Sequence, residues 1–239
     1  ATIRRQRQMC IRDSSMADYR GRVVENTLEG LQLHLNGHDL YSQLIGDFNA
    51  YNLLAVYAVG VELGMDQLDV LTHLSLLKPP AGRFERVQAS EGITAIVDYA
   101  HTPDALDNVL KTIETFRAGE TQVITVVGCG GNRDKTKRPV MARVAAQWSD
   151  RVFLTSDNPR DEEPDAIIND MRAGLDPIDA KKCIAITDRR EAIRMAAQLA
   201  GEGDIVLVAG KGHETYQEIQ GVRHDFDDRE ELLNAFNTA

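Results

Sequence analysis

Four short polar loops carry the residues of this 239-residue chain that could do chemistry: DYAHTPD at 98–104, GCGGNRDK at 128–135, SDNPR at 156–160 and GKGHE at 210–214. They offer the guanidinium groups of Arg133 and Arg160, the carboxylates of Asp98, Asp157 and Glu214, the Asn158 amide, Tyr99, His101, and glycines such as Gly210 that permit close backbone approach. These groups bind more readily than they react. A guanidinium grips a carboxylate through two parallel hydrogen bonds, and an ionised carboxylate only accepts. The generic reactive motifs fail. Gly128 and Gly130 fill the first two places of GxGxxG, but Arg133 stands third, where a dinucleotide turn needs a small residue. GKGHE lacks the upstream glycine spacing of a phosphate-binding loop. His213 and Glu214 have no second histidine four residues on, as a zinc helix requires. Cys129, between glycines, reads as packing rather than as a nucleophile. Residue types alone therefore give a binding site and no reaction.

The elements around these loops have a regular order. Apolar strands at 93–97, 123–127, 152–154, 183–186 and 205–208 alternate with helices at 103–116, 139–148, 164–173, 189–199 and 228–236. Pro103 suits a first helical turn. This order predicts an α/β fold: a mostly parallel, Rossmann-like sheet with helices on both faces and right-handed crossovers. Ligands bind beyond the carboxyl ends of such strands, and each of the four loops follows a strand. Upstream, 22–34 alternates apolar and polar residues and reads as strands, with a short strand at 40–44. A helix is expected over 46–64, with Leu53, Val56, Tyr57, Gly60, Val61 and Gly64 on one face. A second spans 66–77, with Leu68, Leu71, Leu74 and Leu77 on one side, and Pro79–Pro80 ends it.

Lys and Arg number 27 against 37 Asp and Glu, a net charge of −10. That excludes a general binder of nucleic acid or of anionic membrane. An anionic ligand needs a local basic cluster, such as the run Arg133, Lys135, Lys137, Arg138. Cys10, Cys129 and Cys183 show no metal-ligand spacing, and a sparse odd count fits a reducing cytosol. No apolar run reaches the ~20 residues that span a bilayer. Residues 1–15 show no helical or strand period and read as a disordered or non-native leader, joined to a truncated chain and set aside from the fold.

Taken in order, GDFNAYN (46–52), AGRFE (81–85), VDYAHTPDAL (97–106), VVGCGGNRDKTKRP (126–139), TSDNPR (155–160) and VAGKGHE (208–214) resemble the Mur ligase family. The likeness runs from about residue 16 to 239. It is nearest to the members that add meso-diaminopimelate to a UDP-N-acetylmuramoyl dipeptide in peptidoglycan synthesis. The resemblance implies that 16–82 end the central ATP-binding domain and that 83–239 are the C-terminal domain. It implies ATP-dependent amide formation: ATP phosphorylates the D-glutamyl carboxylate, and an amine of diaminopimelate attacks the acyl phosphate. ATP and Mg2+ would be held mainly upstream, because no GTNGKT-type loop, modified lysine or magnesium ligands occur in these residues. The chain alone is thus expected to be inactive, and no catalytic residue or metal ligand is assigned in it. It is expected to be cytoplasmic and monomeric.

By the same resemblance Asp157, Asn158, Pro159 and Arg160 match the diaminopimelate motif, joined by Arg133, Gly210 and Glu214. Diaminopimelate exceeds lysine by one far carboxylate, which Arg160 would grip. Glu214 would take an ammonium group. The competing reading is an Asx turn capping the next helix, with Arg160 solvated. On the ATP side the resemblance implies Asn49 and Asn52 at the base, Arg83 at phosphate, Asp98 at the ribose, and Tyr99 and His101 nearby. Helix capping by Asn49 is the alternative there. Other functions to weigh are a lysine-adding Mur ligase, a folylpolyglutamate-type ligase and a non-catalytic amino-acid-binding module.

Overall fold

The computed structural model of the protein describes residues 9–11, 17–87, 89 and 92–237. The chain divides into two compact units between Pro79 and Pro80. In the first, β1 (Met9–Ile11), β2 (Tyr19–Thr27), β3 (Gly30–Leu35) and β4 (His38–Ser42) form a sheet in chain order. β1 runs parallel to β2 and the others are antiparallel. Alternation decides the faces: Leu31, Leu33 and Leu35 of β3 are buried, whereas Gln32 and His34 are half-buried. The helices α1 (Asp47–Glu62) and α2 (Gln67–Ser75) supply Leu53, Leu54, Tyr57, Val70, Leu71 and Leu74 to the same core. Asp66 caps α2, accepting from the N–H groups of Leu68 and Asp69.

Two expectations need correction here. Val56, Leu68 and Leu77 are exposed, and Ala50, Leu54, Ala58 and Val70 take inner positions instead. α1 is apolar nearly all round, so spacing alone does not choose its inner face, and Leu77 lies beyond the end of α2. Of the leader, Met9–Ile11 pairs as a strand with Tyr19–Gly21, although no strand period marks it. Its remaining residues lie outside the described ones.

The second unit holds β5 (Glu85–Val87), β6 (Thr94–Asp98), α3 (Pro103–Phe116), β7 (Val123–Cys129), α4 (Lys137–Trp148), β8 (Arg151–Ser156) and α5 (Pro164–Arg172). It continues with β9 (Cys183–Ala185), α6 (Arg189–Leu199), β10 (Ile205–Ala209), the hairpin β11 (Tyr216–Ile219)–β12 (Val222–Asp225) and α7 (Asp228–Asn237). The sheet order is β5-β6-β10-β7-β8-β9, parallel except for β5. Val97, Val126, Phe153 and Val208 face α6 and α7, packing on Ala192, Ile193, Ala196 and Leu232. Alternate residues such as Ile96, Val127, Leu154 and Leu207 are buried on the other face. There α4 and α5 pack on β7 and β8, and α3 packs on α4.

Helix starts follow local chemistry. Thr102 caps α3 with Pro103 in the first turn, and Asp188 caps α6. Arg189 and Asp228, both fully buried, make a two-pronged ion pair between α6 and α7. Arg189 also donates to the Ala209 carbonyl at the end of β10. The insertion of β10 between β6 and β7 matters most for the site. It places the loops after β6, β10, β7 and β8 on four adjacent strands. Among the described residues no helix is long and apolar enough to cross a membrane.

Candidate functional site

At the carboxyl ends of those strands the loops enclose an open cavity of about 470 Å³. Tyr99 and His101 line it from β6, Gly130 and Arg133 from β7, Asp157, Asn158 and Arg160 from β8, and Gly210 and Glu214 from β10. Eight of the site residues expected from sequence therefore share one wall system. Thr102, Asp134, Lys137 and Tyr216 complete it.

The floor is built on close backbone approach. A Cβ at Gly131 would run into the Pro159 carbonyl oxygen, and one at Gly128 would lie 2.5 Å from the Thr155 oxygen. The glycines of GCGG thus let two loops touch, which explains them without a dinucleotide. Gly210 has φ +121°, and a Cβ there would lie 2.6 Å from Asp157 Oδ2. Gly82 and Gly212, both at positive φ, press AGRFE against GKGHE. Pro159 does not line the cavity; it forms the wedge under Gly131.

Asn158 is buried and almost fully used. Its Oδ1 accepts from Lys211 Nζ at 3.1 Å and from the Glu218 N–H at 2.9 Å, and its Nδ2 donates to Glu214 Oε2 at 2.8 Å. Its carbonyl accepts from the Gly131 N–H at 2.9 Å. Arg160 sits at φ +51°, held by backbone bonds to Glu218 and Gln220. Its guanidinium donates to the Gly131 carbonyl at 2.9 Å and lies 3.7 Å from Glu218 Oε2. The capping alternative is not what forms: α5 follows Glu163 with no side-chain cap, and Arg160 is half-buried rather than solvated.

Arg133 is exposed and donates only weakly to the Asn132 carbonyl, at 3.5 Å. Its loop is anchored from behind by Glu162, which accepts from Asn132 N–H and pairs with Arg138 and Lys135. Hydrogen bonds from Arg138, then from Lys135, hold the Glu162 carboxyl far below its ordinary range. Cys129 is buried with its thiol pushed up to about 12 by burial, which fits packing and not attack.

On the β6 side, Arg83 lies over the Tyr99 ring at 4.7 Å. Tyr99 also meets the rings of His101 at 4.6 Å and His213 at 5.2 Å. Lys137 Nζ donates to the His101 carbonyl at 2.7 Å. An exposed cluster of aromatic rings and cations suits a nucleotide's base or phosphates. Asp98 does not reach the cavity. Its oxygens accept from Phe84 and Ala100 N–H at 2.6 and 2.8 Å, and burial raises its carboxyl above the ordinary value against those bonds and Arg83. Two of its acceptor sites thus hold the turn that shapes the β6 loop.

Asn49 and Asn52 belong to the other unit. They pair with each other at 3.1 Å, and Asn49 donates to the Ile45 carbonyl at 2.8 Å. Asn49 is not the cap; Gly46 is. Among the described residues no three His, Cys, Asp or Glu side chains gather as a metal cage. Sequence reasoning missed Lys211, which is fully buried beneath the cavity. It also missed Tyr216 and Gln217 of the hairpin, where Gln217 Nε2 donates to the Asp157 carbonyl at 2.7 Å. Lys211 stood inside a quoted motif, but a lysine between two glycines reads as a loop residue.

Known proteins carry the same pattern. A UDP-N-acetylmuramoyl-L-alanyl-D-glutamate–2,6-diaminopimelate ligase of Bacteroides thetaiotaomicron is 60% identical over 223 residues, covering 93% of this chain and 46% of the relative. The ligase so named of Chlorobaculum tepidum is 46% identical over 219 residues, covering 90% of this chain and 42% of its own length. The chain thus spans less than half the length of these relatives. A solved structure of a ligase of that name superposes with a TM-score of 0.67 at 41% identity, over 94% of this chain and 46% of that one. A folylpolyglutamate synthase from Thermotoga maritima, at 20% identity and a TM-score of 0.61, shares the fold. The family model described as "Mur ligase, glutamate ligase domain" matches residues 82–212, and the chain belongs to the Mur ligases.

Proposed function

We propose that the second unit is the amino-acid selector of an ATP-dependent ligase that adds meso-diaminopimelate to UDP-N-acetylmuramoyl-L-alanyl-D-glutamate. One observation carries this reading: a single cavity lined by the guanidiniums of Arg133 and Arg160 and by the carboxylates of Asp157 and Glu214. Diaminopimelate has two carboxylates and two amines, so its charges match in kind a wall that carries both cations and carboxylates. L-Lysine lacks the far carboxylate and would forgo the charge-assisted bonds that a guanidinium offers it. The names of the relatives support the same substrate.

The aromatic and cationic edge of Arg83, Tyr99, His101 and Lys137 would face ATP. By the resemblance Asn49 and Asn52 would read an adenine edge. ATP supplies the phosphoryl group that activates the D-glutamyl carboxylate, and this chain's residues would orient the incoming amine. Ordering both partners in a water-poor site favours attack over hydrolysis of the acyl phosphate. The protein would act as a cytoplasmic monomer.

The test is to exchange residues 17–239 into the matching segment of the Bacteroides thetaiotaomicron relative and to follow phosphate release. Release that depends on meso-diaminopimelate, with L-lysine at least a hundredfold poorer, is expected. Equal use of lysine, or release needing no amino acid, would refute the assignment.

A further inference from the structure

We infer that Lys211 is a positioning residue for amino-acid recognition: its buried ammonium locks Asn158 and Glu214 together, so that the loops after β8 and β10 present one rigid face to the ligand. This role rests on the diaminopimelate reading given above. Lys211 is fully buried, yet three acceptors from both loops surround it. Asn158 Oδ1 lies at 3.1 Å, Glu214 Oε2 at 3.6 Å and Asp157 Oδ1 at 4.0 Å.

The orientation of Asn158 is the critical consequence. An amide can sit either way round, and the wrong way would set Oδ1 against the Glu214 carboxylate. The Lys211 ammonium and the Glu218 N–H, both at Oδ1, together allow only the observed sense, with Nδ2 turned to Glu214. One Nδ2 proton and one Glu214 oxygen then remain for a ligand. The charge also offsets two carboxylates held close together at a half-buried wall, which would otherwise repel. Burial pushes the Lys211 amine below its ordinary value, while Asp157 and, less strongly, Asp228 and Glu214 hold it up; the nearby Arg189 adds to the lowering. The glycine neighbours of Lys211, Gly210 and Gly212, both take positive φ to turn the lysine inward.

The experiment titrates meso-diaminopimelate into the whole 239-residue chain by NMR, with Lys211→Met, Glu214→Gln and the double variant in parallel. Lys211→Met should weaken binding at least tenfold. A positioning role makes the two changes non-additive, so the double variant should bind within about twofold of Lys211→Met. A folded Lys211→Met that binds like the unaltered chain, or losses that multiply, would overturn the inference. An unaltered chain that shows no ligand shifts at all overturns the diaminopimelate reading, and the role of Lys211 with it. Should Lys211→Met fail to fold, the unaltered chain still decides. The Asn158 side-chain amide should exchange with solvent at least tenfold more slowly than that of exposed Asn52, and equal rates would contradict the lock.

Discussion

Arg160 donates through Nη1 to the carbonyl of Gly131 at 2.9 Å, a bond that joins the loop after β8 to the loop after β7. The contact fixes one edge of the guanidinium, whose Nε lies 3.7 Å from Glu218 Oε2, and the side chain lines the cavity. A pre-positioned fork loses less freedom when it takes up a carboxylate than a solvated arginine would.

Arg160→Ala should therefore cost the far-carboxylate interaction. Hydrogen bonds to charged groups are worth about 1.5–3 kcal/mol, or roughly 10- to 150-fold. In the exchanged ligase, KM for meso-diaminopimelate should rise by that factor while KM for ATP changes little. An equal rise in both would point to general loosening. Alanine at φ +51° is no more strained than arginine, so the backbone adds nothing to the effect.

Gly131→Ala should strain the same junction from the other side. Its Cβ would run into the Pro159 carbonyl, and backbone cannot yield as a side chain can. A loss of about 1–3 kcal/mol is expected from such overpacking. Thermal unfolding measures it, and meso-diaminopimelate binding should weaken in parallel. An unchanged Tm would mean that the two loops do not touch as described.

Glu162 makes a prediction in pH. Its carboxyl is held below the ordinary value of 4.5, chiefly by Arg138 and then by Lys135 and the Asn132 N–H. A depressed folded pKa means that the unfolded chain binds the proton first as pH falls. The stabilisation is fully present above the ordinary value and is lost below it, towards the folded value. Glu162→Gln should lower stability at pH 7 and flatten the acid limb below pH about 4.5. Urea unfolding at a series of pH values checks this; an acid limb unchanged in slope would contradict it.

Much of this arrangement was legible in the sequence. Pro103 with Thr102, and Asp188 before Arg189, mark helix starts that depend on neighbouring residues alone, and α3 and α6 run over the expected spans. The apolar runs that became β6, β7, β8 and β10 are buried on both faces, so composition identifies them. The β11–β12 hairpin was not legible, because YQEI and VRHD are polar and largely exposed. The place of β10 between β6 and β7 depends on contacts distant in sequence. Asp98 and Lys211 show the same limit within the site. Lys211 was not singled out, and the type of the Asp98 side chain suggested only a ligand contact; burial against particular backbone and side-chain partners shows what each holds in place.

The most direct measurement is a side-by-side calorimetric titration of the 239-residue chain with meso-diaminopimelate and with L-lysine. A weak, saturable isotherm for meso-diaminopimelate is predicted, at least tenfold tighter than for lysine, with Arg160→Ala erasing the difference. Equal affinity for the two amino acids, binding of neither, or a preference that survives Arg160→Ala would contradict the assignment of this cavity.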